Sequence, residues 1–485
     1  MARRFSQFTT TALKFIPYII LLIGVLLRLK IYIQNRSLFI DEASLARNIA
    51  ERSYGGFFSS LSYQQYAPPL FLVKTKMVTE AFGNYEWALR LIPLLAGLWS
   101  MWLLWLMLKE WVKSPVVRVY GLSMFCLAFI TIRYGTDFKQ YSSDGFLALL
   151  FLWLATKDRQ VIWTGQRVAY WAFFGSLGIW YSMPLVFILS GVGLFFLSVN
   201  WKQWRSTFIV ISTWLLSFGA YYFLILQHNI GSNYLENYFG GYFIELHNLS
   251  AKVWKNNSRL IIDIFKSITD KTTVSIAFGI ATFLVGVAAI IRNDKTKAIL
   301  VLIPIVALLL ASILHYYTLM PRLTLFIFPS VLLIMCLGLD LLFRASNKWV
   351  KILLLCFVIL GIVNKRGWDY IENKMVFEEI KPCLTQLQNE SKVEDFVFVD
   401  HEGIPAFMYY TNNYEEPFKL KGTINLVGWN ETISSYMDPH IESTRWLLFA
   451  HAPDYRISRE LKKIKFSNAK TICRSSRVAL IKDSK

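Results

Sequence analysis

The first 364 residues are a succession of long apolar runs joined by short charged connections, and this pattern constrains the fold more than any other feature. A helix of about 20 mostly apolar residues crosses the hydrocarbon core of a bilayer. Eleven segments read as spans, near 15–33, 90–108, 116–133, 144–156, 169–181, 184–200, 206–227, 273–291, 298–316, 323–343 and 350–364. The fourth and fifth are the shortest of the set. Only 17% of the 485 residues are charged, against roughly a quarter in soluble domains. A soluble globular enzyme, a disordered chain and a disulfide-rich secreted domain are thereby excluded. The first apolar run is longer than a cleavable signal sequence and leads into many further spans.

The net charge of +19 would suit nucleic acid, but its placement does not. Residues 1–364 hold 33 Lys and Arg against 15 Asp and Glu, whereas residues 365–485 hold 18 against 17. Basic excess between apolar segments is the positive-inside pattern of an integral membrane protein, so no nucleic-acid partner is expected. Alternate connections differ sharply. The N-terminus and five loops carry 17 basic residues against Glu110, Asp158 and Asp294 alone. The opposite loops balance Arg36, Arg47, Arg52, Lys74 and Lys76 with Asp41, Glu42, Glu51, Glu80 and Glu86. The N-terminus is expected in the cytoplasm, and an odd number of spans puts the C-terminal region on the other side.

That region, 365–485, changes character. Asp395–Asp400, Arg445–Ala450 and Arg477–Ile481 read as short strands, with helices over Glu378–Gln388 and Ile457–Ile464. The expected architecture is a multi-pass α-helical membrane domain over 1–364, with long outer loops at 34–89 and 228–272, and a small extracytoplasmic α/β domain over 365–485. Cys383 and Cys473 share that domain, where a disulfide is open to them but not demanded by their spacing. Cys126, Cys336 and Cys356 lie within spans.

Ionisable residues in the spans fall near their ends, at Arg28, Lys30, Arg90, Arg118, Arg133, Asp144, Asp340 and Lys351. Ion-coupled transport commonly uses charges near the midplane. Reactive groups gather instead on the outer side, in three clusters. Phe39–Ala43 contains adjacent carboxylates, Asp41 and Glu42. One could act as a general base; equally, Asp41 could cap a helix Glu42–Arg52 and Glu42 benefit from its dipole. Arg133–Tyr141 combines Asp137, Lys139 and Tyr141 with Arg133 and Tyr134, and reads either as an acidic group beside a phosphate-binding lysine or as an interfacial belt. His315–Arg322 ends in an arginine suited to bidentate phosphate binding or to anchoring a span.

The order of these motifs resembles a known family. Asp41-Glu42-Ala43 follows the first span, and Gln65-Tyr66-Ala67-Pro68-Pro69-Leu70 lies downstream. Ala88-Leu89-Arg90-Leu91-Ile92-Pro93 opens the second span, Asp137–Asp144 follows the third, and Pro321-Arg322 precedes the tenth. This is similar to the GT-C membrane glycosyltransferases, specifically the glycosyltransferase 39-like group (PMT/ArnT-related, RgtA/B/C/D-type), over about residues 15–345. The resemblance implies an inverting hexosyl or pentosyl transferase of the bacterial inner (plasma) membrane. It would move a sugar from a polyprenyl-phosphate donor to a glycan, lipid or protein acceptor on the non-cytoplasmic face. By that similarity Asp41 is the base, Glu42 supports it and Asp137 is the second acid. Lys139, Tyr141 and Arg322 face the donor, and Tyr66 and Pro68 belong to the substrate-binding loop, with Pro68-Pro69 shaping a juxtamembrane turn. Relatives often carry His or Lys before such a proline; here Ala67 stands there, and Lys74 or Lys76 is the available substitute.

Loop 228–272, with Tyr234, Tyr238, Tyr242, His247, Trp254 and Arg259, is the expected cover, through sugar stacking or simple interfacial seating. The six histidines have no zinc-ligand spacing and no nucleotide-binding glycine loop is present, so no metal or cofactor is expected. The alternative from another class is a multi-pass transporter or flippase of lipid-linked saccharides.

Overall fold

The computed structural model describes residues 2–483 apart from 161, 229–237, 247–249, 271, 430, 432, 437–442 and 464–468. The protein is a multi-pass helical membrane protein with a small C-terminal sheet domain. Among the described residues, six helices are long and apolar enough to cross a bilayer: Phe15–Ile33, Glu86–Trp111, Trp201–Leu226, Thr273–Asn293, Lys295–Ile313 and Phe328–Ala345. The other five apolar segments form the shorter helices Pro115–Cys126, Tyr141–Lys157, Gly165–Tyr181, Leu185–Val199 and Lys348–Val363.

The chain divides into two compact units. One comprises 1–31, 68–71 and 91–373; the other comprises 32–67, 72–90 and 374–485. The helical unit is packed through small residues. A Cβ on Gly338 would lie 1.9 Å from the Thr282 carbonyl oxygen, and one on Gly286 would lie 1.9 Å from that of Ile334. Helices Thr273–Asn293 and Phe328–Ala345 therefore meet backbone to backbone, as small residues allow in lipid, where apolar burial does not drive helices together.

The third apolar segment departs from expectation. Instead of one helix over 116–133 the chain forms Pro115–Cys126, breaks, and resumes as Phe129–Tyr134. A break in an apolar segment exposes carbonyls that must find donors. Arg28, fully buried, supplies them: its guanidinium donates to Cys126 O at 3.0 Å and Thr131 Oγ1 at 3.1 Å. The Gly367 amide donates to Leu127 O at 3.0 Å. Helix Pro115–Cys126 begins on Pro115, and its N-terminus is satisfied by buried Asp340, whose Oδ1 accepts from Ser114 N at 2.7 Å.

The other unit contains a five-stranded sheet in the order β2-β1-β3-β5-β4. β1 (Phe396–Val399) lies between β2 (Thr423–Leu426) and β3 (Arg445–Phe449), parallel to both. β5 (Val478–Asp483) runs antiparallel to β3 and to β4 (Ala469–Ser475). The core packs Phe398, Leu447, Phe449 and Ile481 against Ile457 of helix Asp454–Lys463. The three strands expected from sequence are the three inner ones. The edge strands β2 and β4 are largely exposed and lack the apolar runs that mark a buried strand. The helix expected over Glu378–Gln388 runs instead over Lys381–Glu390, with Pro382 in its first turn, where a missing N–H costs nothing. Glu378 and Glu379 are thus left outside the helix.

Cys383 and Cys473 form a disulfide that joins helix Lys381–Glu390 to β4 across 90 residues of sequence. Denatured, unreduced protein should label at three thiols and reduced protein at five, counted by intact mass. Replacing both cysteines with serine should lower the stability of this unit by about 2–4 kcal/mol, read as an earlier thermal transition.

Candidate active site

In the sheet-containing unit the first two candidate carboxylates have different fates. They lie in the first turn of helix Ile40–Glu51, one residue apart, so a helix step of about 100° sends them in different directions. The helix is capped at Phe39, not at Asp41 as the capping reading expected. Glu42 turns inward and is fully buried. Its two oxygens take a forked ion pair from Arg90, Nε to Oε1 at 2.9 Å and Nη2 to Oε2 at 2.6 Å. Arg90 is also buried and spends its remaining donors on Arg36 O at 2.7 Å and Ser37 O at 3.2 Å. Glu42 Oε2 additionally accepts from the Phe39 amide at 3.4 Å. Asp41 is half-buried.

The segment ahead of Asp41 is held by groups far away in sequence. The Leu38 amide donates to the Tyr410 hydroxyl at 2.8 Å, and that hydroxyl donates to Glu86 Oε1 at 2.9 Å. Burial pushes the Tyr410 phenol well above its usual pKa, which keeps it a donor. Buried Glu86 also accepts from Asn35 Nδ2 at 3.2 Å and pairs with Lys381 at 2.7 Å, and Lys381 donates to Asn35 O at 2.7 Å. The Ser37 amide donates to the Glu379 carboxylate at 3.1 Å, and the Ser37 hydroxyl donates to it as well. Sequence reasoning missed Glu86, Lys381, Glu379 and Tyr410, because nothing in linear spacing connects residue 38 with residue 410. Arg90 was visible only as a charge at the end of a span and as part of a motif.

Of the loop that follows, Tyr66 is half-buried and Pro68 buried, with Pro69 opening helix Pro69–Phe82. Lys74 is exposed, and Lys76 donates to Ile49 O at 2.9 Å.

In the helical unit, Asp137 follows the short helix Phe129–Tyr134 and is fully buried. Arg133 Nε donates to its Oδ2 at 3.1 Å and lays its guanidinium 5.2 Å from the Tyr134 ring centre. The Lys139 amide donates back to Asp137 O at 2.8 Å, a tight turn that delivers Lys139 and Tyr141 beside Asp137. Lys139 and Tyr141 are both buried, and Tyr141 opens helix Tyr141–Lys157 with its ring edge-on to Tyr134 at 5.0 Å. Phe138 stacks on Phe71 at 6.0 Å.

In the His315–Arg322 segment Tyr317 packs edge-on to Phe187 at 5.2 Å and to Phe326 at 6.0 Å. Arg322 Nη2 donates to the Tyr238 hydroxyl at 3.3 Å, and the Leu319 amide donates to Tyr242 O at 2.8 Å. His315 stacks on Phe243 at 4.8 Å. Arg259 lies over the Tyr242 ring at 5.7 Å, and Trp254 is exposed on helix Ala251–Thr269. Tyr234 and His247 lie outside the described residues.

No family model matches the sequence, and no curated protein does. Among solved structures, ArnT from Cupriavidus metallidurans bound to undecaprenyl phosphate aligns over 96% of this chain and 97% of its own, with TM-score 0.53 and 14% identity. The same protein in the apo state aligns over 98% of both chains with TM-score 0.52 and 14% identity. This chain has the GT-C fold. A weaker likeness, TM-score 0.45 at 13% identity over 86% of this chain and 62% of the other, is to the archaeal oligosaccharyltransferase AglB from Archaeoglobus fulgidus in complex with an inhibitory peptide and a dolichol-phosphate. In this GT-C chain the ArnT overlap runs nearly end to end and so includes the C-terminal sheet domain.

Glu42 and Asp41 are expected to separate cleanly in stability. Truncating one partner of the buried pair, as in Arg90→Met, should cost about 3–5 kcal/mol. Asp41→Asn leaves that buried pair intact and should cost less than Arg90→Met. Thermal midpoints in detergent check both.

Proposed function

We propose that this protein is a glycosyltransferase that moves a hexose or pentose from a polyprenyl-phosphate donor to a hydroxyl acceptor, inverting the anomeric centre. The reaction would take place on the non-cytoplasmic face of the bacterial inner membrane, where the positive-inside pattern puts the Asp41 loop and the sheet domain. The acceptor would be a glycan, a lipid or a protein. The observation that carries the reading is the nearly complete overlap with a protein whose structure contains undecaprenyl phosphate.

The local geometry supports distinct roles for the carboxylates. Glu42 is committed to Arg90, so its role is to hold the turn that presents Asp41. Asp41 takes the proton of the attacking hydroxyl as the new bond forms between the acceptor oxygen and the anomeric carbon. The bond between that carbon and the phosphate oxygen breaks on the opposite face of the sugar. The carrier leaves as a phosphate monoester, with one more negative charge than the diester had. Cations arranged before the reaction stabilise that charge best, because they need no reorganisation as it develops. Lys139 and Arg322 are assigned to it. Asp137 orients Arg133 and is the second acid of the site, and Tyr141 lines the donor side with Tyr134. Tyr66 and Pro68 belong to the substrate-binding loop.

Asp41→Asn is expected to lower transfer from a polyprenyl-phosphate sugar by about 10²–10⁴-fold while the protein still folds into the membrane; unchanged transfer overturns the base assignment. Lys139→Ala should raise the KM for donor more than that for acceptor, measured with each substrate varied in turn.

A further inference from the structure

We infer that the carboxyl edge of the parallel strands in the sheet domain is a saccharide-binding subsite that holds the acceptor. Calling the ligand an acceptor rests on the proposed function; the subsite rests on its own geometry.

The topology marks the place. β1 lies between β2 and β3 and is parallel to both. The chain leaves the carboxyl end of β1 toward β2 on one side, and leaves that of β3 through helix Asp454–Lys463 toward β4 on the other. Connections that part in opposite directions open a crevice between two strands, and ligands of open α/β sheets bind there. Hydrogen bonds draw the strand ends together. The Asp400 amide donates to Leu448 O at 3.0 Å, and the Val427 amide donates to Val399 O at 3.0 Å. A Cβ on Gly403 would lie 3.3 Å from the Ala450 nitrogen, so the turn after β1 rests against the end of β3.

The side chains at this edge suit one kind of ligand. Arg456, in the first turn of helix Asp454–Lys463, pairs with Asp400 through one nitrogen and with Glu402 through the other. His401 Nδ1 lies 3.3 Å from Asp400 Oδ1, and the imidazole is 4.6 Å from the ring of Trp429, which follows β2. Asp400 is buried, His401 and Glu402 are half-buried, and Trp429 is 62% exposed. A pyranose presents an apolar C–H face and a rim of hydroxyls, each donor and acceptor at once. An exposed indole receives such a face. Carboxylates accept from the rim, and a guanidinium and an imidazole donate to it. A phosphate would instead meet two carboxylates for one guanidinium. Among the described residues no three His, Cys, Asp or Glu side chains converge on a point where a metal ion would sit.

The edge is continuous with the segment ahead of Asp41. His451, which follows β3, has its Nδ1 3.1 Å from Glu378 Oε2. The neighbours of Glu378 touch the loop directly: Phe377 packs edge-on to Phe39 at 6.4 Å, and Glu379 accepts from the Ser37 amide at 3.1 Å. The strip 377–379 thus borders both the strand ends and residues 37–39, and a saccharide at the edge lies beside the segment that leads into Asp41.

Binding is tested on the full-length protein in detergent, without donor, by saturation-transfer NMR. The probe is saccharide released by mild acid from the envelope of the organism that carries this chain, freed of lipid; the intact lipid-linked form is run in parallel. Wild type should bind the lipid-free probe, and Trp429→Ala should weaken binding about tenfold, the scale of one stacked aromatic contact. Glu402→Gln should weaken it as well. Trp349→Ala, which removes a still more exposed indole from helix Lys348–Val363, should bind as wild type does. In transfer assays Trp429→Ala should raise the acceptor KM by the same factor and the donor KM little, a split that general loosening of the fold would not produce. No binding by wild type, unchanged binding in Trp429→Ala or in Glu402→Gln, or equal weakening in Trp349→Ala overturns the inference. Binding of the lipid-linked form alone also overturns it, since the indole would then be a bilayer contact. Lost binding with an unchanged acceptor KM overturns the assignment to the acceptor. If wild type binds the saccharide but transfers no sugar from a polyprenyl-phosphate donor, the functional reading fails alone.

Discussion

The forked ion pair between Glu42 and Arg90 is the interaction on which the candidate base depends. Both side chains are removed from solvent, and two charges taken out of water are tolerated only when geometry is good and their remaining donors and acceptors are used. Here they are: Arg90 joins Glu42, Arg36 O and Ser37 O in one cluster. The pair therefore does more than neutralise charge. It ties the loop before helix Ile40–Glu51 to that helix's first turn and to the start of helix Glu86–Trp111. Asp41, next in sequence to Glu42, inherits a fixed position without itself being the anchor.

The same logic recurs around it. Glu86 with Asn35 and Glu379 with Ser37 each use a carboxylate to hold the backbone or side chains of residues 35–37. Glu379 precedes the disulfide-bonded helix Lys381–Glu390, and Lys381, which pairs with Glu86, opens it. The sheet domain supplies rigid attachment points, and the loop takes its shape from them. In the helical unit Arg28 plays the corresponding part. Its guanidinium closes the break at 127–128 with neutral acceptors, and the break allows Phe129–Tyr134 to end where Asp137 and Lys139 begin.

Helix segments, the inner strands and the candidate residues were legible in the sequence because each is marked by a local signal. Apolar runs mark helices in lipid, short Val-, Phe- and Leu-rich runs mark buried strands, and charges beside aromatics mark the clusters at 41, 137 and 322. The edge strands were not legible, since a strand with one free side and little burial carries no apolar run. Nor was the break after Cys126, where Leu127-Ala128-Phe129 continues the apolar pattern without a glycine or proline. The different burial of Asp41 and Glu42 was equally hidden, because a dipeptide of two acids looks the same whichever one turns inward.

The sequence by itself determined that this is a membrane chain with a polar C-terminal domain and with its chemistry-bearing residues between apolar segments. Those properties follow from the cost of putting polar groups in hydrocarbon, which acts on every short window of residues. Tertiary structure alone decided which carboxylate is buried against an arginine, where a helix in lipid breaks, and which distant side chains hold the loop. Those outcomes depend on pairing buried charges and backbone groups across tens to hundreds of residues, and no local pattern records which partner will be there.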